Sequence, residues 1–369
     1  MRISCAKNLL VHAVQTVQKA FAAKTTMPIL TGIYLSAVDN TLELQATDYE
    51  IGISCKVEAQ VYEPGTIVLS GRYFQELVRR LPGDTVEICS EKVDKTIQIT
   101  SNLSQFNLLS LPAEEFPVLK PLIGTKTLTV KDNVLQDIIK KTVFACATDE
   151  ARPIFTGGLL EVDGQDIRMV ATNTHRLALK KYILNDAGDM VKMIIPAKIL
   201  SELARLLVSD QPFDVTIYWH KNQVAFAFAE NYLIARLIEG QFPDYNKVIP
   251  ASFETTVLIS TDSFFDAVER VSLLAREGEY NVVKLSFKQD EIIINSNNPD
   301  IGKASETVPA KITGKEMDIA FNAKYVTDIL KNITSEQLVF SLNTPLSPAC
   351  IRPADDENYT YIITPVRTG

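Results

Sequence analysis

A strand, a break and a short amphipathic helix recur three times along this chain at a constant interval. The copies occupy residues 67–81, 193–207 and 319–333, each starting 126 residues after the one before. Repetition at a fixed period constrains the fold more than any local signal, because each repeat must then be one structural unit. A period of about 126 residues lies within the usual size of a domain, and a chain of 369 residues holds three of them.

The repeat preserves charge as well as apolarity. Arg72, Glu76 and Arg79 in the first copy correspond to Lys198, Glu202 and Arg205 in the second and to Lys324, Asp328 and Lys331 in the third. The order is basic, acidic, basic at a spacing that places all three side chains on one helix face. Phe74, Leu77, Val78 and Leu81 lie on the opposite face, as do Leu200, Leu203 and Leu207, and Val326, Ile329, Leu330 and Ile333. For a single helix this pattern describes a solvated face whose internal ion pairs contribute about 0.2–0.5 kcal/mol each. Its threefold recurrence points instead to a shared surface.

The remainder of each repeat follows one plan. A strand and a helix are followed by three strands, and the set then occurs again, so each repeat is two such halves and the fold class is α+β with antiparallel sheets. Helices are predicted over 7–20, 72–81, 131–142, 197–207, 262–276 and 323–333. A single strand is predicted from Ile29 to Ser36 and another from Ile51 to Val61. Linkers fall near 112–126 and 240–254, each with a Phe-Pro pair, Phe116-Pro117 and Phe242-Pro243. The domains are therefore expected over 1–122, 127–249 and 251–369.

Composition excludes several function classes. Hydrophobic residues make up 46% and charged residues 22%, as in a globular protein. No apolar run approaches the ~20 residues a membrane span needs, and the first residues lack the apolar stretch of a signal peptide, so a cytoplasmic location is expected. The five cysteines are scattered and only three histidines occur, which argues against a disulfide framework, a zinc site or any bound metal or cofactor. The net charge of −8 argues against a polyanion partner until its distribution is examined. The six predicted helices together carry +6, leaving −14 for everything else. An acidic protein with basic helices can hold a polyanion on its helical side and repel it elsewhere.

Catalytic motifs are missing. The sequence holds no glycine-rich phosphate loop, no nucleophile elbow and no H-E-x-x-H. An enzymatic reading would have to rest on His175, set among hydroxyls in Thr172-Asn173-Thr174-His175-Arg176; the simpler reading is a loop histidine bonded to the backbone. Three repeats without a catalytic centre suit a scaffold that presents an interaction surface, whether for DNA, peptide or glycan.

The residues Met27-Pro28-Ile29-Leu30, Ala171 to Ala178, Phe242-Pro243-Asp244-Tyr245, Val248-Ile249-Pro250, Phe321 to Val326 and Thr364-Pro365-Val366-Arg367-Thr368 appear in this order over the whole length. In this the chain resembles the bacterial DNA polymerase III beta-subunit family, the sliding clamps that act as processivity factors. The resemblance implies a non-catalytic, head-to-tail homodimeric ring that encircles double-stranded DNA without reading its sequence, with the helices lining the pore and the sheets outside. It implies DNA-facing cations at Lys24, Arg72, Arg79, Arg80, Lys141, Lys198, Arg205, Lys324 and Lys331. It implies a dimer interface at Phe106 and Leu108 on one side and Ser272, Leu273 and Leu274 on the other. It also implies a pocket for the peptide motifs of the DNA polymerase III alpha subunit, the clamp-loader delta subunit and other clamp-binding proteins. The matching pocket positions are Arg152, Phe155, Thr172, Thr174, His175, Arg176, Leu177, Pro243, Val248, Tyr325, Ile362, Thr364, Pro365, Val366 and Arg367. Thr174 stands where the family often has glycine, and Thr364 and Val366 where some members have methionine.

Overall fold

The computed structural model describes all residues except 23–24, 91–94, 123–125, 150, 209, 276–280 and 368–369. The described residues include helices α1 (Lys7–Val17), α2 (Gly71–Arg80), α3 (Asp132–Lys140), α4 (Ala197–Leu206), α5 (Thr261–Ala275) and α6 (Ala323–Leu330). Each directly follows a strand, as the sequence pattern requires.

Helix α2 shows why these segments fold as they do. Phe74 and Val78, one turn apart, are fully buried, while Arg72, Arg79 and Arg80 are exposed. Burying each such apolar side chain contributes about 1.5–3 kcal/mol, and Arg79 and Arg80 in the last turn complement the helix dipole. Gly71 opens the helix because the Phe21 ring lies 2.8 Å from where a Cβ would stand, with the Thr31 carbonyl at 3.0 Å. Helix α6 has a side-chain cap, the Asn322 Oδ1 accepting from the Tyr325 N–H at 3.3 Å.

The chain divides into two compact units that do not follow the sequence repeats. The first unit comprises Met1–Asn133 and Arg205–Leu237. Its strands form one continuous antiparallel sheet, in which Asn231–Arg236 of the second repeat pairs with Ile51–Glu58 of the first, Leu233 opposite Ile53. The pairing removes two strand edges that would otherwise be exposed. Ile3, Leu10, Val14, Leu44, Leu69 and Ile88 lie in its core without measurable exposure or nearly so.

The second unit comprises Val134–Ala204 and Ile238–Gly369. Here Arg176–Pro196 of the second repeat pairs with Tyr359–Ile363 of the third, Leu177 opposite Ile362. Its core centres on Phe340, whose ring lies 5.5–6.3 Å from those of Phe264, Phe287 and Phe321.

Two predicted strands differ from what forms. Residues 29–31 belong to a 3-10 turn, Pro28–Thr31, because Pro28 fixes φ for a turn start; the strand begins at Gly32. The stretch from Ile51 to Val61 breaks at Ala59 into Ile51–Glu58 and Gln60–Glu63, which pair with different neighbours.

Candidate functional site

All fifteen predicted pocket residues lie in the second unit, and Thr172, Thr174, His175, Arg176, Tyr325 and Thr364 meet at one turn. Thr172 Oγ1 donates to the Arg176 carbonyl at 2.6 Å and accepts from the Thr174 N–H at 3.1 Å. Asn173 Oδ1 accepts from both the His175 and Arg176 N–H groups at 3.1 Å. These bonds hold Thr174 at a φ of 76°, in the left-handed region that glycine occupies without strain. The turn is fixed from outside as well. Asn173 Nδ2 reaches the Tyr325 hydroxyl of α6 at 3.3 Å, and the His175 carbonyl accepts from both the N–H and the hydroxyl of Thr364 at 2.9 Å.

Arg176 is only 7% exposed. Its guanidinium donates to Asp328 on α6 at 2.5 Å and to the Phe144 carbonyl, and lies 4.5 Å from the centre of the Tyr325 ring. Burial opposes its charge, yet the Tyr361 and Asp328 oxygens outweigh that and raise its pKa, so it stays a cation. Asp328 is the acid of the third basic-acidic-basic triplet. It points to Arg176 rather than sharing one solvated face with Lys324 and Lys331, which are exposed.

The other predicted positions divide by burial. Leu177 and Ile362 are 3% and 1% exposed, within an apolar cluster that includes Leu159, Val170, Ile194 and Cys350. Phe155 is buried, edge-on to Phe242 at 6.0 Å, with the Arg152 guanidinium 5.7 Å from its ring. Pro243 and Val248 are exposed, as are Thr174, His175 and Arg367; Thr364, Pro365 and Val366 are half-buried. The Val366 N–H donates to the Ala320 carbonyl at 2.8 Å and anchors the tail. Leu346, which sequence reasoning missed, is 69% exposed in the loop between Gln337–Leu342 and Ala349–Pro353. Ala349 pairs with Ile363, so this loop emerges beside the tail. Its sequence signal was a leucine set in the turn Thr344-Pro345-Leu346-Ser347-Pro348.

The predicted DNA-facing cations fare unequally. Arg72, Arg79, Arg80, Lys198, Arg205, Lys324 and Lys331 are exposed. Glu76 pairs with both Arg79 at 3.2 Å and Arg80 at 2.8 Å. Lys24 lies outside the described residues. Lys141 is a correction: its side chain is only 15% exposed, and its Nζ lies 3.1 Å from Asp137 and 3.9 Å from Asp356. Lys180, more deeply buried, pairs with the same Asp356, and the Tyr182 hydroxyl donates to Asp137 at 2.8 Å. Lys141 is drawn into this network of two lysines and two aspartates, leaving Lys140 as the exposed cation of α3.

Among the predicted interface residues, Phe106 is 41% exposed and Leu108 half-buried, on the strand Ser104–Leu111. On one side this strand pairs only at Ser110 and Leu111 among the described residues, so residues 104–109 present an edge with no strand partner among them. In α5, Leu273 is 57% exposed and Leu274 half-buried. Ser272 is 2% exposed with its hydroxyl on the Glu269 carbonyl, so it offers little surface. Among the described residues no three of His, Cys, Asp or Glu converge as metal ligands.

Three family models match the chain end to end: the N-terminal, central and C-terminal domains of the DNA polymerase III beta subunit, over residues 1–120, 129–244 and 246–367. The beta sliding clamp of Bacillus subtilis is 38% identical over 379 residues, and that of Staphylococcus epidermidis 35% over 377, each covering both chains fully. The solved structure of the Bacillus subtilis DNA polymerase sliding clamp superposes with a TM-score of 0.94 at 37% identity, and that of the Pseudomonas aeruginosa DNA polymerase III subunit beta with 0.93 at 29%, both over the full length of each chain. The chain belongs to the DNA polymerase III beta-subunit family, the beta sliding clamps.

Proposed function

We propose that two copies of this chain close head to tail into a ring around duplex DNA, and that each copy holds partner peptides in the pocket around Thr172–Arg176. The chain is a sliding clamp in DNA replication, a processivity factor for DNA polymerase III with no catalysis of its own. The domains are assigned to 1–122, 127–249 and 251–369. No helix among the described residues is long and apolar enough to cross a membrane; action in the cytoplasm, where replication takes place, is part of the proposal.

The observation that carries the DNA reading is the recurrence of exposed cations at the same positions of α2, α4 and α6 in a chain of net charge −8. Phosphate contacts carry no base information, and a ring that slides needs contacts that are sequence-blind and weak. Arg72, Arg79, Arg80, Lys198, Arg205, Lys324 and Lys331 suit this. The free edge at 104–109 with Phe106 and Leu108, against Leu273 and Leu274 of a second copy, would close the ring and cover the exposed strand.

The pocket reading rests on an apolar floor under an exposed rim with few polar guides, the usual build of a peptide site. The alpha subunit of the polymerase, the delta subunit of the clamp loader and other proteins with clamp-binding motifs would dock there. Size measurement of the purified chain, followed by loading onto circular and linearised DNA, tests the ring. A dimer retained on circles and lost from linear ends is expected; equal retention on both would overturn encirclement.

A further inference from the structure

The turn that frames the proposed peptide pocket exists twice in the chain, bond for bond. Thr47 Oγ1 donates to the Ile51 carbonyl at 2.7 Å and accepts from the Tyr49 N–H at 3.1 Å. Asp48 Oδ1 accepts from the Glu50 and Ile51 N–H groups at 3.0 and 2.8 Å. Tyr49 has a φ of 72°, beside 76° for Thr174. The Glu50 carbonyl accepts from the Arg236 N–H at 3.0 Å, as the His175 carbonyl does from Thr364.

The surroundings repeat too. The 3-10 turn Pro28–Thr31 corresponds to Pro153–Phe155, with Thr31 and Thr156 hydroxyls donating to the Pro28 and Pro153 carbonyls at 2.7 and 2.8 Å. Phe116 stacks on Tyr34 at 5.1 Å and Phe242 meets Phe155 edge-on at 6.0 Å, each Phe followed by proline in its linker.

A groove of about 470 Å³ runs along this first turn. Tyr49, 52% exposed, Val118, 43% exposed, Leu119 and Ile234 supply its apolar wall. A Cβ on Gly52 would come within 2.5 Å of Leu119, so the glycine lets the linker seat against the strand. Lys120 and Arg236 are exposed on the same wall, neither in an ion pair among the described residues, and Glu50 is the one carboxylate there.

We propose that this groove is a second docking site, for an extended peptide whose apolar side chains are flanked by carboxylates. The apolar anchors would lie over Tyr49, Val118 and Ile234, and the carboxylates would meet Lys120 and Arg236. Ile51, 3% exposed, stands where Arg176 does in the twin, so this site selects without a buried cation. The proposal rests on reading the Thr172–Arg176 turn as a peptide site, from which the occupant's chemistry is carried over.

The test titrates the full-length chain with a fluorescent peptide carrying leucine and phenylalanine anchors between aspartates, and reads stoichiometry. Two equivalents per chain are expected. Val248→Glu, at the rim of the first pocket, should remove one. Lys120→Glu with Arg236→Glu, both at exposed positions, should weaken the other at least tenfold, with circular dichroism unchanged. If Val248→Glu abolishes all binding, or the double variant leaves binding intact, the groove proposal is overturned. If Val248→Glu changes nothing and the double variant abolishes binding, the groove stands and the Thr172–Arg176 reading fails. If the unmodified chain takes no peptide, both fail.

Discussion

The Arg176 guanidinium and the Asp328 carboxylate meet at 2.5 Å across 152 residues of chain, and the pair ties the Thr172–Arg176 turn to helix α6. Arg176 is nearly inaccessible, whereas the Asp328 side chain keeps 23% exposure. Helix α6 therefore serves two ends. Lys324 and Lys331 face solvent, while Tyr325 and Asp328 hold the turn.

Asp328→Ala leaves a buried guanidinium unpaired. Removing one partner of a buried pair costs about 3–5 kcal/mol, and the partial exposure of Asp328 places the loss near 3 kcal/mol. Urea unfolding should show a lowered midpoint with an unchanged slope. The pocket should also lose affinity for a partner peptide, because Arg176 is freed from its setting. Unchanged stability would show that water replaces the carboxylate.

The basic helix face and the lysine network predict opposite phenotypes. Arg79→Glu, Arg205→Glu and Lys331→Glu together should impair loading onto circular DNA and flatten the salt dependence of binding, each lost phosphate contact lowering the slope by about 0.9. Lys141→Gln should leave DNA retention as it was. Its loss unbalances Asp137 and Asp356, so thermal stability should fall instead. A DNA defect in Lys141→Gln without a stability change would return that lysine to the DNA-facing set.

Much of this was legible in the sequence where the signal was local or repeated. The spacing of 126 residues located the strand-helix units, and helix starts at residues 7, 197 and 323 agree with the helical periodicity. The Thr172–Arg176 turn was visible as a motif, and the glycine preference at position 174 follows from its positive φ. What stayed hidden depends on residues far apart in the chain. The resemblance set Lys141 among the DNA-facing cations, but Asp356 lies more than 200 residues later and captures it. Asp328 matched Glu76 and Glu202 by position, and only the fold brings Arg176 against it. Repeat boundaries did not reveal that strands pair across them, so the compact units cut through the second repeat.

Alkaline pH should destabilise the second unit. The Tyr245 hydroxyl donates to Glu161, and burial, followed by that carboxylate, pushes its pKa up to about 12 from 10.0. A raised folded pKa contributes stability that is complete below the unfolded value and is lost as pH rises through the folded one. The loss attributable to Tyr245 therefore falls between pH 10 and 12. Tyr182 is raised as well, by burial and Asp137. Unfolding followed across this window should be steeper in the unmodified chain than in Tyr245→Phe; parallel curves would rule out Tyr245 as a contributor.

Removing residues 365–369 tests the tail as a wall of the pocket. Thr364 remains bonded to His175, so the turn keeps its outer anchor, but Pro365, Val366 and Arg367 are lost. Peptide binding at the Thr172–Arg176 site should disappear, while the dimer, proposed to form at residues distant in sequence, should keep its size. Retained affinity would mean that the tail only borders the site.

Thr174→Gly should stabilise the chain. Threonine is β-branched and held at a φ of 76°, a region where L-residues other than glycine lose about 1–2 kcal/mol. Glycine relieves that strain but adds freedom to the unfolded chain, which offsets roughly half of it. A net gain of up to about 1 kcal/mol is expected, read as a rise in the unfolding midpoint. The bond from the Thr174 N–H to Thr172 Oγ1 uses the backbone and survives the substitution. The turn should therefore keep its shape and its peptide affinity. A fall in stability would mean that the threonine side chain makes contacts worth more than the strain it carries.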